Sequence, residues 1–157
     1  MRVGQGFDAH RFIAGHRLVL GGVEIPHPYG MEAYSDGDVV IHALCDALLG
    51  AAALGDIGQH FPDTERRWAG VDSRILLREV VRLVAAAGLR VANVDLTVIA
   101  QQPKLAPHFP GMRANLASDL GIDGNCVNLK GTTTEQMGFT GRQEGIAALA
   151  VALLERR

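Results

Sequence analysis

The chain has 157 residues, 48% of them hydrophobic and 20% charged, which suits a packed core and excludes a disordered segment. Its net charge is −2, and no basic stripe interleaved with aromatics occurs, so the electrostatic footprint of a nucleic-acid binder is excluded. The apolar run Leu48–Leu54 is too short for a bilayer, and Met1–Gly6 carries no apolar signal segment, so neither a membrane span nor a secretory leader is expected.

Arg2–Phe12 alternates loosely and reads as a strand entering a loop. Leu18–Leu20 and Val23–Ile25 flank Gly21-Gly22 and read as a short hairpin, with Pro26 and Pro28 closing it. Ser35-Asp36-Gly37-Asp38 then opens a helix from Val39 to about Leu54, rich in Ala and Leu. A second helix runs from about Ser73 to Ala87, ending at Gly88, and a third from Pro107 to about Leu120, ending at Gly121. Val91–Ala100 and Val127–Lys130 read as strands. Gly145–Glu155 is compatible with either state, because its alanines favour helix while its alternation of small and large residues allows a strand. No repeat or linker divides the chain. The expectation is one α+β domain over residues 1–157, with a mixed four-stranded sheet covered by helices on one face and a short hairpin.

Asp8-Ala9-His10 sets a carboxylate and an imidazole at i and i+2, the same face of a strand. His42 lies on the first helix, with Asp38 and Asp46 one turn to either side. One carboxylate and two imidazoles form a mixed set suited to Zn²⁺, and three protein ligands leave a fourth position for substrate. Asp46 is a candidate to orient the His42 ring. The plainer alternative is that Asp8 caps a turn and His42 is a satisfied core histidine. Gly4-x-Gly6-x-x-Ala9 fits a dinucleotide fingerprint only nominally, since no amphipathic helix follows it.

Three further segments are rich in turn residues that can also hold a ligand. Asp56-Ile57-Gly58 and Phe61-Pro62-Asp63-Thr64 form an irregular acidic loop. Ala100–Pro107 leaves a strand end carrying Lys104, one of two lysines in the chain; a solvated lysine and a phosphate contact explain it equally. Thr132-Thr133-Thr134-Glu135, read by itself, is a capping box; its hydroxyls and carboxylate would also suit a cation-bridged diphosphate. Gly138-Phe139-Thr140-Gly141-Arg142 reads as a glycine-rich turn or an anion contact. Cys45 and Cys126 are isolated and fit neither a disulfide framework nor a zinc ribbon, so a reducing, cytoplasmic setting is expected.

Taken in order, G-x-G-x-D-x-H, S-D-G-D-x-x-x-H-A-x-x-D-A, D-I-G-x-x-F-P-D-T, A-Q-x-P-K-L, T-T-T-E and G-F-T-G-R resemble the 2-C-methyl-D-erythritol 2,4-cyclodiphosphate synthase family from Val3 to about Glu155. The resemblance implies a lyase of the non-mevalonate isoprenoid route. It would cyclise 4-diphosphocytidyl-2-C-methyl-D-erythritol 2-phosphate and release CMP, the substrate's own 2-phosphate attacking the β-phosphorus. It implies Zn²⁺ on Asp8, His10 and His42, and Mg²⁺ or Mn²⁺ on Glu135, with Thr133 and Glu135 serving catalysis. Cytidine and diphosphate contacts would come from Ala100, Gln101, Gln102, Pro103, Lys104, Leu105, Ala106, Thr132, Thr133 and Thr134. The methylerythritol end would meet Asp56, Ile57, Gly58, Phe61, Pro62, Asp63, Thr64 and Glu65, with Asp8, Ala9, His10, Tyr34 and Ser35 also touching substrate.

The resemblance further implies a homotrimer with active sites between subunits. It implies an axial cavity where Phe139 and Arg142 meet an isoprenoid diphosphate, and a strand for the C-terminal segment. One departure stands out: such enzymes usually carry His before S-D-G-D, and this chain has Tyr34, which donates a hydrogen bond but carries no charge near neutral pH. An alternative is a non-catalytic metal- and nucleotide-binding trimer that senses isoprenoid diphosphates, and a metal-dependent phosphohydrolase is a third reading.

Overall fold

The computed structural model describes residues 1–157. Strand β1 (Arg2–Ala14) is followed by the β2–β3 hairpin (Leu18–Leu20, Val23–Ile25) and β4 (Tyr29–Met31). Then come α1 (Val39–Ala52), α2 (Ile57–His60), α3 (Ser73–Ala86), β5 (Leu89–Ile99), α4 (Phe109–Leu120), β6 (Val127–Thr132), α5 (Gly138–Gly141) and β7 (Gly145–Arg156). The main sheet has five strands in the order β4-β1-β7-β5-β6, mixed because β5 and β6 run parallel while the other pairs are antiparallel. This corrects the expected four strands. β1 extends to Ala14, and its last three residues pair with the residues beyond Pro28, Phe12 opposite Met31, Ile13 opposite Gly30 and Ala14 opposite Tyr29.

The ambiguous C-terminal segment is the central strand, hydrogen-bonded to β1 and β5 along most of its length. Its alanines serve packing rather than helix propensity, since Ala148, Ala150 and Ala152 are buried while Leu149 and Val151 are exposed. Helix α1 begins where the Asp38 carboxylate accepts the Ile41 N–H at 3.0 Å. The same carboxylate accepts the Gly21 and Gly22 N–H groups at 2.9 and 2.7 Å, tying the hairpin turn to the helix start. Burial and the neighbouring Asp36 push Asp38 up to about 6, although these three N–H donors pull it down.

What places α1 on the sheet is a seam of small residues. Ala43, Ala47 and Ala51 follow one another at four-residue spacing, and opposite them β1 presents Gly4 and Gly6. A Cβ on Gly6 would lie 1.9 Å from the Ala43 carbonyl oxygen, and one on Gly4 would lie 2.0 Å from that of Ala47. Backbone therefore packs on backbone here. Asp8 and His10 continue the Gly4, Gly6 face of the strand, so the same approach carries them to α1. The opposite sheet face has no helix over it and exposes Val3, Phe7, Leu149 and Val151, with Phe7 in register with Leu149.

Gly6→Ala is therefore expected to cost about 3 kcal/mol or more in urea unfolding, because neither backbone can yield. Gly50→Ala, on the same helix with its nearest atom 4.0 Å away, is expected to stabilise by roughly 0.5–1 kcal/mol. Equal stability of the Gly6→Ala and wild-type proteins would refute the close seam.

Candidate active site

Asp8 and His10 on β1 meet His42 on α1. Asp8 Oδ2 lies 2.9 Å from His10 Nε2 and 3.1 Å from His42 Nδ1, and the two ring nitrogens are 3.1 Å apart. Three atoms that each carry a lone pair thus form a near-equilateral triangle. Hydrogen bonds alone cannot satisfy all three sides, because at most two protons are shared among them. A tetrahedral cation with bonds of about 2.0–2.1 Å keeps its ligands about 3.3 Å apart, close to the spacing seen. The residues fit a divalent metal site.

The charge distribution agrees. Burial would raise the Asp8 carboxyl, but hydrogen bonds from His10 and His42 outweigh it and hold Asp8 at about 2. Burial would lower His42, yet the Asp8 carboxylate, with Asp38 and Asp36 behind it, raises the ring above its ordinary 6.5. A cation at this triangle supplies the same positive charge without a proton.

The far side of His42 is fixed by hydroxyls. Its Nε2 is 2.8 Å from Ser73 Oγ and 3.1 Å from Ser35 Oγ. Ser73 Oγ in turn donates to Asp36 Oδ1 at 2.5 Å. Because the Ser73 proton goes to Asp36, Ser73 accepts from His42, which puts the ring proton on Nε2 and leaves Nδ1 free to ligate. Asp46 does not orient His42. It lies one turn further along α1, where its Oδ1 accepts the Ile57 N–H at 2.8 Å and anchors α2.

Beside the triangle lies a cavity of about 160 Å³, lined by His10, His42, Ser35, Tyr34, Ile57, Gly58, Phe61 and Asp63, together with Ala33, Trp68, Val71 and Leu76. Tyr34 donates its hydroxyl to the Glu65 carbonyl at 3.2 Å. Asp56 caps α2, accepting the Gln59 N–H at 3.0 Å. Pro62, Thr64 and Glu65 belong to the loop but not to the cavity wall, and Glu65 pairs with Arg67. Ala9 sits on β1 between Asp8 and His10, in register with Ala147.

A second cavity, of about 510 Å³, is lined by Ala100, Gln101, Pro103, Lys104, Leu105, Ala106, Thr132 and Thr133, with Val98, Pro107, Phe109 and Gly131. It shares no lining residue with the first. Gln102 and Thr134 are outside its wall. Glu135 is exposed just past it, with its N–H donated to Thr133 Oγ1 at 3.2 Å. No helix starts at Thr132, so the capping-box reading is corrected: Glu135 has φ +52°, which no helix accepts. Phe139 and Arg142 are exposed around α5, and Arg142 pairs with Glu144.

Residues 1–155 match the YgbB family. The chain belongs to that family. A 2-C-methyl-D-erythritol 2,4-cyclodiphosphate synthase from Thioalkalivibrio sulfidiphilus is 65% identical over 155 residues, covering 99% of this chain and 97% of its own. A solved structure of a synthase of that name, in a CDP-bound form, superposes with TM-score 0.90 at 41% identity, covering 98% of this chain and 100% of its own. The bifunctional IspDF from Campylobacter jejuni superposes with TM-score 0.96 at 43% identity over 99% of this chain, which spans 42% of that longer protein.

Two residues of this YgbB-family site escape a reading by motif. Ser73 is read as a helix start, and nothing in its spacing links it to His42, 31 positions earlier. Trp68, the single tryptophan, stands edge-on to Phe61 at 5.1 Å in the cavity wall. Its buried indole N–H has no hydrogen-bond partner, a cost of about 1–3 kcal/mol in a resting protein.

Ser73→Ala removes the acceptor that sets the His42 tautomer. Chelator competition is expected to show metal affinity reduced about 10-fold or more with the fold retained. Affinity is also expected to fall with pH, because a proton on His42, held above 6.5, competes with the ion. Unchanged affinity in the Ser73→Ala protein would remove Ser73 from the site.

Proposed function

We propose that this chain converts 4-diphosphocytidyl-2-C-methyl-D-erythritol 2-phosphate to 2-C-methyl-D-erythritol 2,4-cyclodiphosphate and CMP, as a phosphorus–oxygen lyase of isoprenoid precursor synthesis. The observation that carries this is the Asp8–His10–His42 triangle in a YgbB-family chain, 65% identical to a synthase of that name. In this reading one catalytic domain spans residues 1–157.

Asp8, His10 and His42 would hold Zn²⁺, and Glu135 would hold Mg²⁺ or Mn²⁺. Glu135 offers a single carboxylate, its Oε1 3.5 Å from the Thr133 hydroxyl, which would suit a hard cation that takes its remaining ligands from water and phosphate. When bound, the two cations neutralise phosphate charge and polarise the β-phosphorus.

The protein's own work is folding and shielding the substrate. The nucleophile is a 2-phosphate oxygen of the same molecule; its new bond to the β-phosphorus forms as the bond to the CMP oxygen breaks, and CMP leaves with that electron pair. No water enters the balance. Catalysis then needs in-line geometry and charge stabilisation rather than an activated side-chain nucleophile. The Thr133 hydroxyl and Lys104 ammonium, both on the second cavity, would meet phosphate oxygens. The 100–106 loop with Thr132 and Thr134 would take cytidine and diphosphate, a reading favoured by the CDP-bound relative. The loop from Asp56 to Glu65, with Ala9, Tyr34 and Ser35, would take the methylerythritol end, and Trp68 would offer its free N–H there.

We also infer a homotrimer. The two cavities are lined by disjoint residue sets, and the bare sheet face is apolar at Val3, Phe7, Leu149 and Val151. Neighbouring copies covering that face would bring the nucleotide cavity of one against the metal triangle of another. Phe139 and Arg142, exposed around α5, would then offer an aromatic ring and a cation to an axial isoprenoid diphosphate. Free Cys45 and Cys126 suit a cytoplasmic setting.

Incubation of the metal-replete protein with substrate, followed by phosphorus NMR, is expected to show a cyclic diphosphate in equal amount to CMP. A linear product would identify a hydrolase, and no turnover a binding protein. His42→Ala is expected to lose the triangle's metal and about 10²–10³-fold or more in kcat/KM. For assembly, sedimentation is expected to give about three times the 16.7 kDa chain mass. Phe7→Asp is expected to shift it to monomer, since a charge would be buried in the interface; a monomeric wild type would refute the trimer.

A further inference from the structure

Residues Thr134–Met137 form a tight turn closed by the Met137 N–H on the Thr134 carbonyl at 2.9 Å. Its two central residues, Glu135 and Gln136, have φ of +52° and +65°. Positive φ at both central positions is the signature of a type I′ turn, whose favoured occupants are Asn and Gly. Glu and Gln carry a Cβ and long side chains into that region, and the local compensation is slight: Glu135 Oε1 accepts from Thr133 Oγ1 at a long 3.5 Å. Such a conformation persists only where the surroundings over-determine it, and strain of this kind gathers at functional sites.

The surroundings can be traced bond by bond. Thr134 Oγ1 donates to the Met137 carbonyl at 2.5 Å. A hydroxyl has one proton, so in the 2.8 Å contact between Thr134 Oγ1 and Thr140 Oγ1 the donor is Thr140. Thr140 is buried, 3% exposed. The turn also rests on Gly141, where a Cβ would fall 2.3 Å from the Gln136 carbonyl carbon. On the other side, the Gln136 N–H donates to Gln101 Oε1 at 3.2 Å, joining the turn to the wall of the second cavity.

We propose that Thr140 and Gln101 are positioning residues that hold the strained Thr134–Met137 turn and thereby aim the Glu135 carboxylate at its cation. Thr140 does so through a hydroxyl relay from beneath, and Gln101 through the backbone from the nucleotide side. The inference rests on the reading of Glu135 as ligand to a divalent cation. It assigns the threonine of G-F-T-G-R a role in metal binding at a position where it touches neither metal nor substrate.

The test uses the zinc-loaded full chain at saturating CDP, with free Mn²⁺ followed by electron paramagnetic resonance. Thr140→Val, which keeps the shape and removes the hydroxyl, is expected to weaken Mn²⁺ binding about 10-fold. Thr140→Ser, which restores the hydroxyl, is expected to bind close to wild type, and the zinc content of both is expected to stay unchanged. Gln101→Ala, at the edge of the turn, is expected to weaken Mn²⁺ severalfold and carries the test alone if Thr140→Val fails to fold. Wild-type Mn²⁺ affinity in folded Thr140→Val and in Gln101→Ala, with Glu135→Gln losing it, would overturn the positioning roles alone. Wild-type affinity in Glu135→Gln would overturn the underlying assignment of Glu135.

Discussion

The structure depends on how closely α1 lies against β1. The Gly4 and Gly6 face of the strand meets the Ala43, Ala47, Ala51 stripe of the helix with less than one methyl group's room between backbones. A helix normally rides on a sheet over a layer of large side chains; here that layer is absent, so the helix axis is drawn inward. The ligand triangle follows directly, since Asp8 and His10 continue the glycine face and His42 directly precedes Ala43. Donor atoms from two elements separated by 34 positions in sequence then stand about 3 Å apart without any loop to hold them. Sites on regular elements are more exact than sites on loops, and a metal triangle tolerates little error.

The same seam explains the composition of β7. Its alanines at 148, 150 and 152 lie beside Asp8, Gly6 and Gly4 in the antiparallel register and continue the shallow floor beneath α1. Read as isolated residues they promote helix, and only the partner across the ladder shows why they are small. By residue type alone the segment is therefore open to both readings. The five-strand count was hidden for a related reason. Tyr29–Met31 is three residues long and follows two prolines, so its strand character comes entirely from the edge that β1 offers.

Much of the site could be read from residue types at short spacing: Asp8 and His10 at i and i+2, and His42 on a helix with a capping aspartate before it. What spacing could not show was the second layer. Asp46 stood one turn from His42 and had the right chemistry, yet helix geometry turns it toward α2. Ser73 and Asp36 orient the ring instead, and they arrive from another helix and from the turn before α1. The T-T-T-E segment shows the complementary failure. It matches a capping box in letters, but a cap requires the chain to enter αR after it, and Glu135 and Gln136 both enter αL. The signal that decides is tertiary: Thr140 beneath the turn and Gln101 beside it.

The triangle and the Glu135 turn differ in how they are held, and the roles proposed for them account for the difference. The Asp8–His10–His42 triangle is mostly buried, built on regular elements and oriented by a buried serine, an arrangement suited to holding an ion before substrate arrives. Glu135 is exposed, on a turn that adopts its shape against local preference. One carboxylate on such a turn binds a hard cation weakly by itself, and gains affinity when phosphate oxygens supply further ligands. On the proposed reading, a resident ion at the triangle and a conditional ion at Glu135 would thus have different scaffolds. Strain at Glu135 is tolerable because the turn is short and pinned at both ends, whereas comparable strain at the triangle would act on the seam that carries α1 and, with it, the sheet.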